Sequence, residues 1–427
     1  MTWTFDQNPY PGMDDSYPGL VYPSGAYDVT RGDVHERQRR WSRIAGHGTC
    51  VVTVDGQEAF PRTVEHDIVL KRGRTSWSGK AEAVSAQVRL TGVHDPAVGI
   101  GSAIGVRVQI PGRGWAGHIT DPVRATNVRV TDLDQTFTVD PHTSSSSATT
   151  VLAATGVLAR FGRIYDDVKI TWPDTGDNER VYQLLYAIPE ARPEIYTAEN
   201  TGKNRLRARP HPQPVDILSE LSEIEENTLG YVFEDRHGQI RYVRSNWHAR
   251  VGWTQYYDYG LPARFVEALG SWKVGVSDLI NRAELYWPKD DSTDSYLATA
   301  YEDPTSQAKV GIYATAYKPT QLLNLSDGLE NVRQLFYAHV APAAKPPPLR
   351  VDVLRLLEQG EDMLFTNVTG TEVGDLLTLQ GVHPRLSPNG ASEHRLWVEG
   401  IEEHLSADRW DITFHTSPHQ YHAPAPT

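Results

Sequence analysis

Residues 279–418 decide the fold, and they close with the stretch HRLWVEGIEEHLSADRWDITFHTSP (394–418). On both sides of Ser406-Ala407-Asp408 in this stretch, apolar residues alternate with polar ones. Alternation with a period of two predicts a pair of half-buried β-strands joined by a short turn. The inward-facing row of the second strand is then Trp410, Ile412 and Phe414. No residue of 279–418 is predicted to carry out chemistry, so the region is interpreted as a scaffold.

The rest of 279–418 predicts more strands, one helix and one loop. LINRAELYW (279–287), LRVDVLRLL (349–357) and VGDLLTLQG (373–381) are predicted strands. The polar residues 288–307 are too many for a tight turn and predict a surface loop. AKPPP (344–348) predicts a stiff connector.

A helix is predicted over 327–339 of the same region. Asp327 and Glu330 resemble a capping box in which Asp327 is the cap. The apolar residues that share one face of this helix are Leu329, Val332, Phe336 and Val340.

The N-terminal part of the chain has the pattern of a barrel or a sandwich. Thr49–Val54 alternates and ends at Asp55-Gly56, a strong signal for a two-residue hairpin. The further predicted strands are 27–31, 64–70, 86–90, 104–110, 115–119 and 128–130. Several short strands at such spacing are typical of closed or layered β-architectures.

The middle of the chain mixes both kinds of structure. TSSSSATT (143–150) predicts a polar loop that precedes a short helix over 151–158. A second helix is predicted over 215–227, because its apolar residues share one face. Residues 231–242 predict a β-hairpin with Asp235-Arg-His-Gly238 as its turn.

Composition excludes several classes of function. The 427 residues carry a formal net charge of −13, which argues against a nucleic-acid-binding surface. The single cysteine, Cys50, excludes an internal disulfide and a zinc site built from cysteines. No signal peptide is predicted at the N-terminus, and no window is apolar enough for a membrane span.

The sequence offers motifs that resemble reactive sites, and each has a simpler interpretation. His415, His419 and His422 lie in a Pro-rich ending that is predicted to be a solvated tail, since zinc ligands need fixed geometry. The glycines of 99–105 precede an alternating strand instead of a helix, so they lack the helix N-terminus of a phosphate site.

The acidic pairs and the basic run also have simpler interpretations than a reactive site. Each pair of adjacent carboxylates is interpreted as two solvated loop acids. Glycosidase chemistry needs two carboxyl groups that face each other across a cleft, whereas adjacent residues of a strand point to opposite faces. These pairs are Asp166-Asp167, Asp290-Asp291 and Glu402-Glu403. The basic run Arg37, Arg39, Arg40 and Arg43 is either an exposed face or one side of a subunit contact. The sequence therefore predicts no catalytic, cofactor-binding or metal-binding residues, no cofactor, and a protein that is not an enzyme.

Several segments together resemble the minor tail proteins of long-tailed phages that infect actinobacteria. That family is similar to the baseplate hub proteins of contractile phages and to the hub part of type VI secretion spikes. The segments that carry the resemblance are GYVFEDRHGQIRYVRSNWHAR (230–250), NRAELYW (281–287), VGDLLTL (373–379) and VEGIEEHLSADRWDITFHTSP (398–418). Residues 27–56 resemble the opening strand pair of the family, although they keep only part of its glycine-rich sequence pattern. The order and spacing of the segments carry the resemblance, and no single motif is specific.

The resemblance implies a mainly β, α+β fold of the baseplate-hub type, with two tube-type β-barrel domains and mixed intermediate domains. The domains expected from it are an N-terminal arm (1–26), a first barrel (27–135), a mixed α/β domain (136–270), a second barrel with an inserted helix and loop (271–418) and a tail (419–427). It also implies a homotrimer that adapts a sixfold tail tube to threefold tip proteins.

Partners and location follow from the same resemblance. The implied partners are the distal tail protein, the tail tube, the tape measure protein and tip or receptor-binding proteins, with DNA only in transit. The implied location is the tail tip of a virion that is assembled in the host cytoplasm. Two alternatives stay open. One is a cell-wall carbohydrate-binding or glycoside-active protein that uses its Trp and Tyr residues, and the other is a hexameric distal tail ring protein.

Overall fold

The computed structural model describes residues 49–58, 68–76, 79–80, 82–91, 99–109, 123–139, 146–164, 172–186, 204–208, 216–243, 258–267, 272–289, 294–341, 344–387, 390–406 and 409–419. Several predictions lie outside these residues: the arm over 1–26, the strands over 27–31 and 115–119, the basic run over 37–43, and the acidic pairs at 166–167 and 290–291.

The strands of the described residues, in chain order, are β1 (Thr49–Val54), β2 (Gln57–Glu58), β3 (Ile68–Gly73), β4 (Glu82–Thr91), β5 (Ala103–Gln109), β6 (Val123–Val139), β7 (Ser146–Thr155), β8 (Thr175–Gly176), β9 (Arg205–Leu206), β10 (Tyr231–Glu234), β11 (Ile240–Val243), β12 (Asp258–Pro262), β13 (Val266–Glu267), β14 (Lys273–Val274), β15 (Arg282–Pro288), β16 (Ser295–Glu302), β17 (Ala314–Tyr317), β18 (Ala344–Lys345), β19 (Leu349–Asp352), β20 (Leu376–Gln380), β21 (Glu393–Ser406) and β22 (Arg409–Pro418). The helices are α1 (Val157–Phe161), α2 (Asp177–Tyr186), α3 (Ile217–Thr228), α4 (Pro304–Val310), α5 (Leu325–His339), α6 (Val353–Glu358) and α7 (Asp362–Gly370). The expectation of a mainly β protein with helices is confirmed.

One large sheet joins the two strand-rich ends of the chain. Its strand order is β13-β19-β22-β21-β3-β4-β7-β6-β5-β1-β2, and β20 pairs with both β21 and β12. Strands from the N-terminal part and strands from the C-terminal part therefore meet where β3 pairs with β21.

Two of the predicted hairpins belong to this sheet, and both are confirmed. Val54 pairs with Gln57, and the turn residues Asp55 and Gly56 have φ values of 49° and 80°. Positive φ at both turn residues is the conformation that suits an Asp-Gly hairpin. The closing strands β21 and β22 pair from Leu396 to Ser406, and the predicted inward row of β22 is buried.

Two hydrophobic cores lie in the described part of the chain, and the β10–β11 hairpin is shared between them. Tyr231 and Phe233 belong to the core of the large sheet, whereas Val232 and Ile240 belong to the core of the helical middle region. Successive residues of a strand point to opposite faces. The hairpin predicted over 231–242 is thus confirmed, and it is buried on both sides.

The short helix predicted over 151–158 is wrong for most of its length. Residues 146–155 form β7, which pairs with β4 on one side and with β6 on the other. The apolar run ends in a helix only from Val157, as α1. The periodicity of a short apolar run cannot distinguish a buried strand from a helix. Here the run forms a strand because β4 and β6 pair with it from both sides.

The surface loop predicted over 288–307 is also wrong, because most of it is regular structure. β16 pairs antiparallel with β15, and α4 follows with Asp303 as its N-cap, accepting from the backbone N–H of Ser306. The buried side chain of Asn281 donates to Ser306 Oγ of this segment at 3.3 Å. Just beyond the segment it donates to Gly311 O at 2.8 Å and accepts from the N–H of Tyr313 at 2.8 Å.

Helix boundaries in the C-terminal region differ from the predictions. α5 begins at Leu325 with Asn324 at the N-cap, so Asp327 is not the cap. The predicted strand over 349–357 is a strand only as far as Asp352, whose side chain caps α6. α7 was not predicted, and part of the predicted connector forms β18. No described helix is long and apolar enough to cross a membrane.

Candidate functional site

The strands β3 and β21 approach each other through two glycines. Gly73 of β3 lies opposite Gly400 of β21. A Cβ atom on Gly400 would lie 2.4 Å from the carbonyl oxygen of Arg74, and one on Gly73 would lie 2.4 Å from that of Glu399. Gly73 also has a φ of +80°, which side chains disfavour. Both positions therefore need glycine for the two backbones to pair. We call this contact and the ion pairs around it the junction.

Glu403 of β21 is the centre of the junction, and it is 0% exposed. Arg124 of β6 donates two hydrogen bonds to its carboxylate, from Nε at 2.9 Å and from Nη2 at 2.7 Å. Arg72 of β3 donates a third from Nη1 at 3.0 Å. A buried carboxylate is tolerated only with such paired and hydrogen-bonded partners.

Glu372, in the loop after α7, is the second anion of the junction. It accepts from Arg72 Nε at 2.7 Å and from Arg236 Nε at 2.9 Å. Arg236 lies in the turn between β10 and β11. Arg72 therefore bridges the two carboxylates, and Arg236 ties the hairpin to them.

The C-terminal end of α7 supplies further acceptors. Arg124 Nη1 and Arg236 Nη1 both donate to Thr369 O, each at 2.8 Å. Arg236 Nη2 donates to Gly370 O at 3.1 Å and also to Thr371 O. The last carbonyls of a helix lack partners within the helix and carry partial negative charge. They compensate the excess of three guanidinium groups over the two carboxylates.

A separate ion pair flanks this cluster. Arg74 Nε donates to Glu399 Oε2 at 2.8 Å, and the hydroxyl of Ser417 donates to Glu399 Oε1. The guanidinium carbon of Arg74 lies 4.0 Å from the centroid of the Tyr231 ring in β10. A cation over an aromatic face is attracted to it. This contact is therefore a second attachment of the hairpin to the large sheet, besides that of Arg236.

The ion pairs outweigh the effect of burial on most of these groups. Burial opposes the charge of Arg72, yet Glu372 and Glu403 raise its pKa above the usual value. Burial would raise the pKa of Glu403, but Arg124 and Arg72 hold it at about 2. In the same way Arg72 and Arg236 hold the pKa of Glu372 well below its usual range. For Arg124, burial lowers the pKa in spite of Glu403, and the charge of Arg236 adds to the decrease.

This arrangement is suited to holding elements together. A general acid or base works best with a pKa near the operating pH, and the pKa values of Glu372 and Glu403 lie far below neutrality. The junction fixes four parts relative to one another: the N-terminal strands, the β10–β11 hairpin, the end of α7 and the C-terminal strands.

The structure separates the two residues of the Glu402-Glu403 pair, as expected for neighbours in a strand. Glu402 faces outward and its Oε2 lies 3.2 Å from Nζ of Lys71. The interpretation of both as solvated loop acids is wrong for Glu403, which is buried in β21. Gly99 and Gly101 form a turn before β5, so the glycine-rich segment leads into a strand as predicted.

The histidines near the C-terminus do not form a common site in the described residues. His415 lies in β22, where burial lowers its pKa, and the ring of His419 stacks on Trp397 with centroids 5.8 Å apart. Their interpretation as part of a solvated tail is therefore wrong, while His422 lies outside the described residues. Across the described ranges, no group of three or more His, Cys, Asp or Glu side chains is placed to hold a metal ion.

Sequence reasoning missed the arginines of the junction, although one signal was available. In IVLKRG (68–73), Ile68, Leu70 and Arg72 occupy the same face of an alternating strand. An arginine in an otherwise apolar inward row requires a buried anion. The identity of that anion could not be read from the sequence, because Arg72 and Glu403 are 331 residues apart.

Comparison with solved structures shows what the fold is similar to. The tail protein from Neisseria meningitidis MC58 matches with a TM-score of 0.58 and 10% sequence identity, over 88% of this chain and 99% of that one. The 43 kDa tail protein of prophage MuSo2 from Shewanella oneidensis matches with a TM-score of 0.54 and 10% identity, over 86% of this chain and 97% of that one. This chain has the fold of phage tail proteins.

A third tail-protein structure agrees with this assignment. The prophage tail protein gp18 from Listeria monocytogenes EGD-e matches with a TM-score of 0.50 and 11% identity, over 86% of this chain and 93% of that one. No protein-family model and no curated protein matches the sequence. At such low identity the similarity establishes the tail-protein fold, and function needs a separate argument.

Proposed function

We propose that this chain is a structural protein of a phage tail, namely the trimeric hub at the tail tip of a long-tailed phage that infects actinobacteria. The observation that carries the proposal is the tail-protein fold, which extends over 88% of this chain and 99% of the Neisseria meningitidis protein. The order of the resembling segments in the sequence supports the finer assignment to a hub.

The junction gives this proposal a physical basis. A hub that adapts a sixfold tube to threefold tip proteins needs two similar strand-rich parts in each of three copies, held in a fixed relation. The β3–β21 pairing and the buried ion pairs of Glu403 and Glu372 hold the two strand-rich ends of this chain together. Such a protein acts through rigidity, so we propose no catalytic role for it.

The proposed partners are those of a tail-tip hub. They are two further copies of the chain, the distal tail protein and tail tube, the tape measure protein and the tip or receptor-binding proteins. DNA would pass through the lumen without being retained, since three copies that each carry a net charge of −13 disfavour binding to phosphates. The division into domains at 27–135, 136–270 and 271–418 remains a prediction within this proposal.

The mass of the assembled particle tests the proposed trimer. Mass photometry of the purified chain is expected to show about 143 kDa, three times the 47.7 kDa of one chain. A hexamer would favour the distal tail ring instead, and a monomer that binds cell-wall glycans would favour the carbohydrate-binding alternative. Electron microscopy of virions labelled at this chain should place the label at the tail tip; a label elsewhere, or none, contradicts the proposal.

A further inference from the structure

The three-stranded sheet β16-β15-β17 ends in two open edges, because no described strand pairs with the outer side of β16 or of β17. One face of this sheet packs against α5, and there Ala283, Leu285 and Trp287 are buried. The other face carries Ala300, Ala314 and Ala316, which are exposed. The outward backbone N–H and C=O groups of both edge strands are therefore available to pair with another strand.

The edges are short and β16 carries a bulge, but both edges lack two common protections against such pairing, namely proline and lysine. Neither β16 nor β17 contains proline or lysine. Tyr296 and Leu297 of β16 are 42% and 48% exposed, and Ile312, which precedes β17, is 62% exposed. A bulge shifts the register of β16 at Ala298, which leaves 299–302 as its regular part. This part and β17 are each four residues long. Exposed apolar side chains beside a free edge are typical of an interaction surface.

The charges around the edges favour a contact between unlike edges. Asp294 precedes β16 and Glu302 ends it, whereas Lys318 directly follows β17 and Lys309 lies in α4 before it. All four residues are exposed, although Glu302 also lies 3.4 Å from Nη1 of Arg282 in its own chain. Two β16 edges would bring acidic residues together, and two β17 edges would bring lysines together. Opposite charges steer β16 of one molecule toward β17 of another.

We propose that copies of this chain associate by strand addition, with residues 299–302 of one copy pairing with Ala314–Tyr317 of the next. This inference rests on the proposed ring and names the contact that builds it. Within one chain β15 is antiparallel to β16 and parallel to β17, so β16 and β17 run in opposite directions. If neighbouring copies are related by rotation about an axis parallel to the strands, every strand keeps its direction. β16 of one copy then runs opposite to β17 of the next copy, so the new pair is antiparallel. A contact between two different edges is head-to-tail and can close into a ring.

A disulfide tests the contact and its register. Antiparallel pairing of the two segments places Ala300 opposite Ala316 of the neighbouring copy. Within one chain both alanines pair with Glu284, from opposite sides. They are therefore two strand spacings apart, about 9–10 Å, which a disulfide cannot bridge. The double variant Ala300→Cys/Ala316→Cys, made with Cys50→Ser, is thus expected to cross-link only between chains.

The experiment is oxidation of the full-length double variant at about 1 mM, where even a contact with a dissociation constant of that order is populated. On a non-reducing gel we expect covalent species up to a closed trimer. The variant Ile100→Cys in the same background controls for random collision, because that exposed side chain lies before β5, away from both edges. With one cysteine per chain it can form only a covalent dimer, and it should give none.

The single variants separate the two ways of pairing. Ala300→Cys alone and Ala316→Cys alone should stay uncross-linked; a covalent dimer from Ala300→Cys alone indicates β16–β16 pairing and overturns the proposal. A double variant that is trimeric by mass but not cross-linked overturns the edge contact and leaves the proposed tail function standing. A double variant that stays monomeric and uncross-linked also overturns the edge contact. Cross-linked rings from a chain that labelling does not find in virion tails would instead contradict the tail function.

Discussion

Replacing Glu403 by Gln is expected to destabilise the folded chain by about 3–5 kcal/mol, the usual cost of removing one partner from a buried ion pair. The carboxylate is 0% exposed, and Arg124 and Arg72 would lose their shared anion. The pKa of Glu403 leads to the same size of effect. It is about 2 in place of 4.5, and about 1.4 kcal/mol per pKa unit gives about 3 kcal/mol. Against a typical total of about 5–15 kcal/mol, this loss is large.

Urea unfolding at pH 7, followed by tryptophan fluorescence, measures this effect. The matched control is Glu402→Gln at the neighbouring position, where the ion pair with Lys71 is exposed and worth about 0.2–1 kcal/mol. Equal unfolding midpoints for the two variants would refute the argument that the junction stabilises the chain.

The pH dependence gives an independent check. Because the folded pKa of Glu403 is depressed, its contribution is complete above pH 4.5 and is lost as the pH falls toward 2. The parent chain should lose stability over that range more steeply than Glu403→Gln does.

Three further predictions concern other positions. Gly400→Ala should strongly destabilise the chain in thermal unfolding, since its Cβ would meet backbone atoms, whereas Gly99→Ala, with nothing within 4 Å, should not. Burial raises the pKa of Glu225 to about 7, so between pH 4.5 and 7 the folded chain binds a proton that the unfolded chain does not. The free energy of unfolding should therefore fall by about 3 kcal/mol at most as the pH rises from 4.5 to 7. The variant Glu225→Gln should remove this slope, and the exposed control Glu226→Gln should keep it. Asn281→Ala should speed hydrogen exchange over 303–313 by removing the bonds that hold this segment, at a cost of about 1–3 kcal/mol; unchanged exchange there would contradict the assigned role.

The hairpins were predictable because their signals are local. The Asp55-Gly56 turn and the alternation that ends at Trp410, Ile412 and Phe414 depend on residues that are close in sequence. The helix over 215–227 was equally well predicted, as α3 (Ile217–Thr228), because an amphipathic face of three turns leaves a clear period. The mainly β fold follows from such segments.

Segments whose own sequence has no clear periodicity were predicted wrongly. Residues 146–155 are a strand because β4 and β6 lie on either side of them, and 288–307 contain β16 because β15 offers a partner. The polar and small residues of these segments carry little preference of their own. Strand pairing depends on context more than helix formation does.

The sequence by itself therefore determined the hairpins, the helix α3 and the mainly β class, because hydrophobic periodicity reports which residues face a core. Only the tertiary structure decided what joins the two ends of the chain. Glu403 looked like a solvated acid next to Glu402, and Arg72 lay just beyond the strand predicted over 64–70. Periodicity cannot reveal that each is buried against the other from 331 residues away. A charge is stable inside a protein only when its partner is placed beside it, and the fold alone provides that placement.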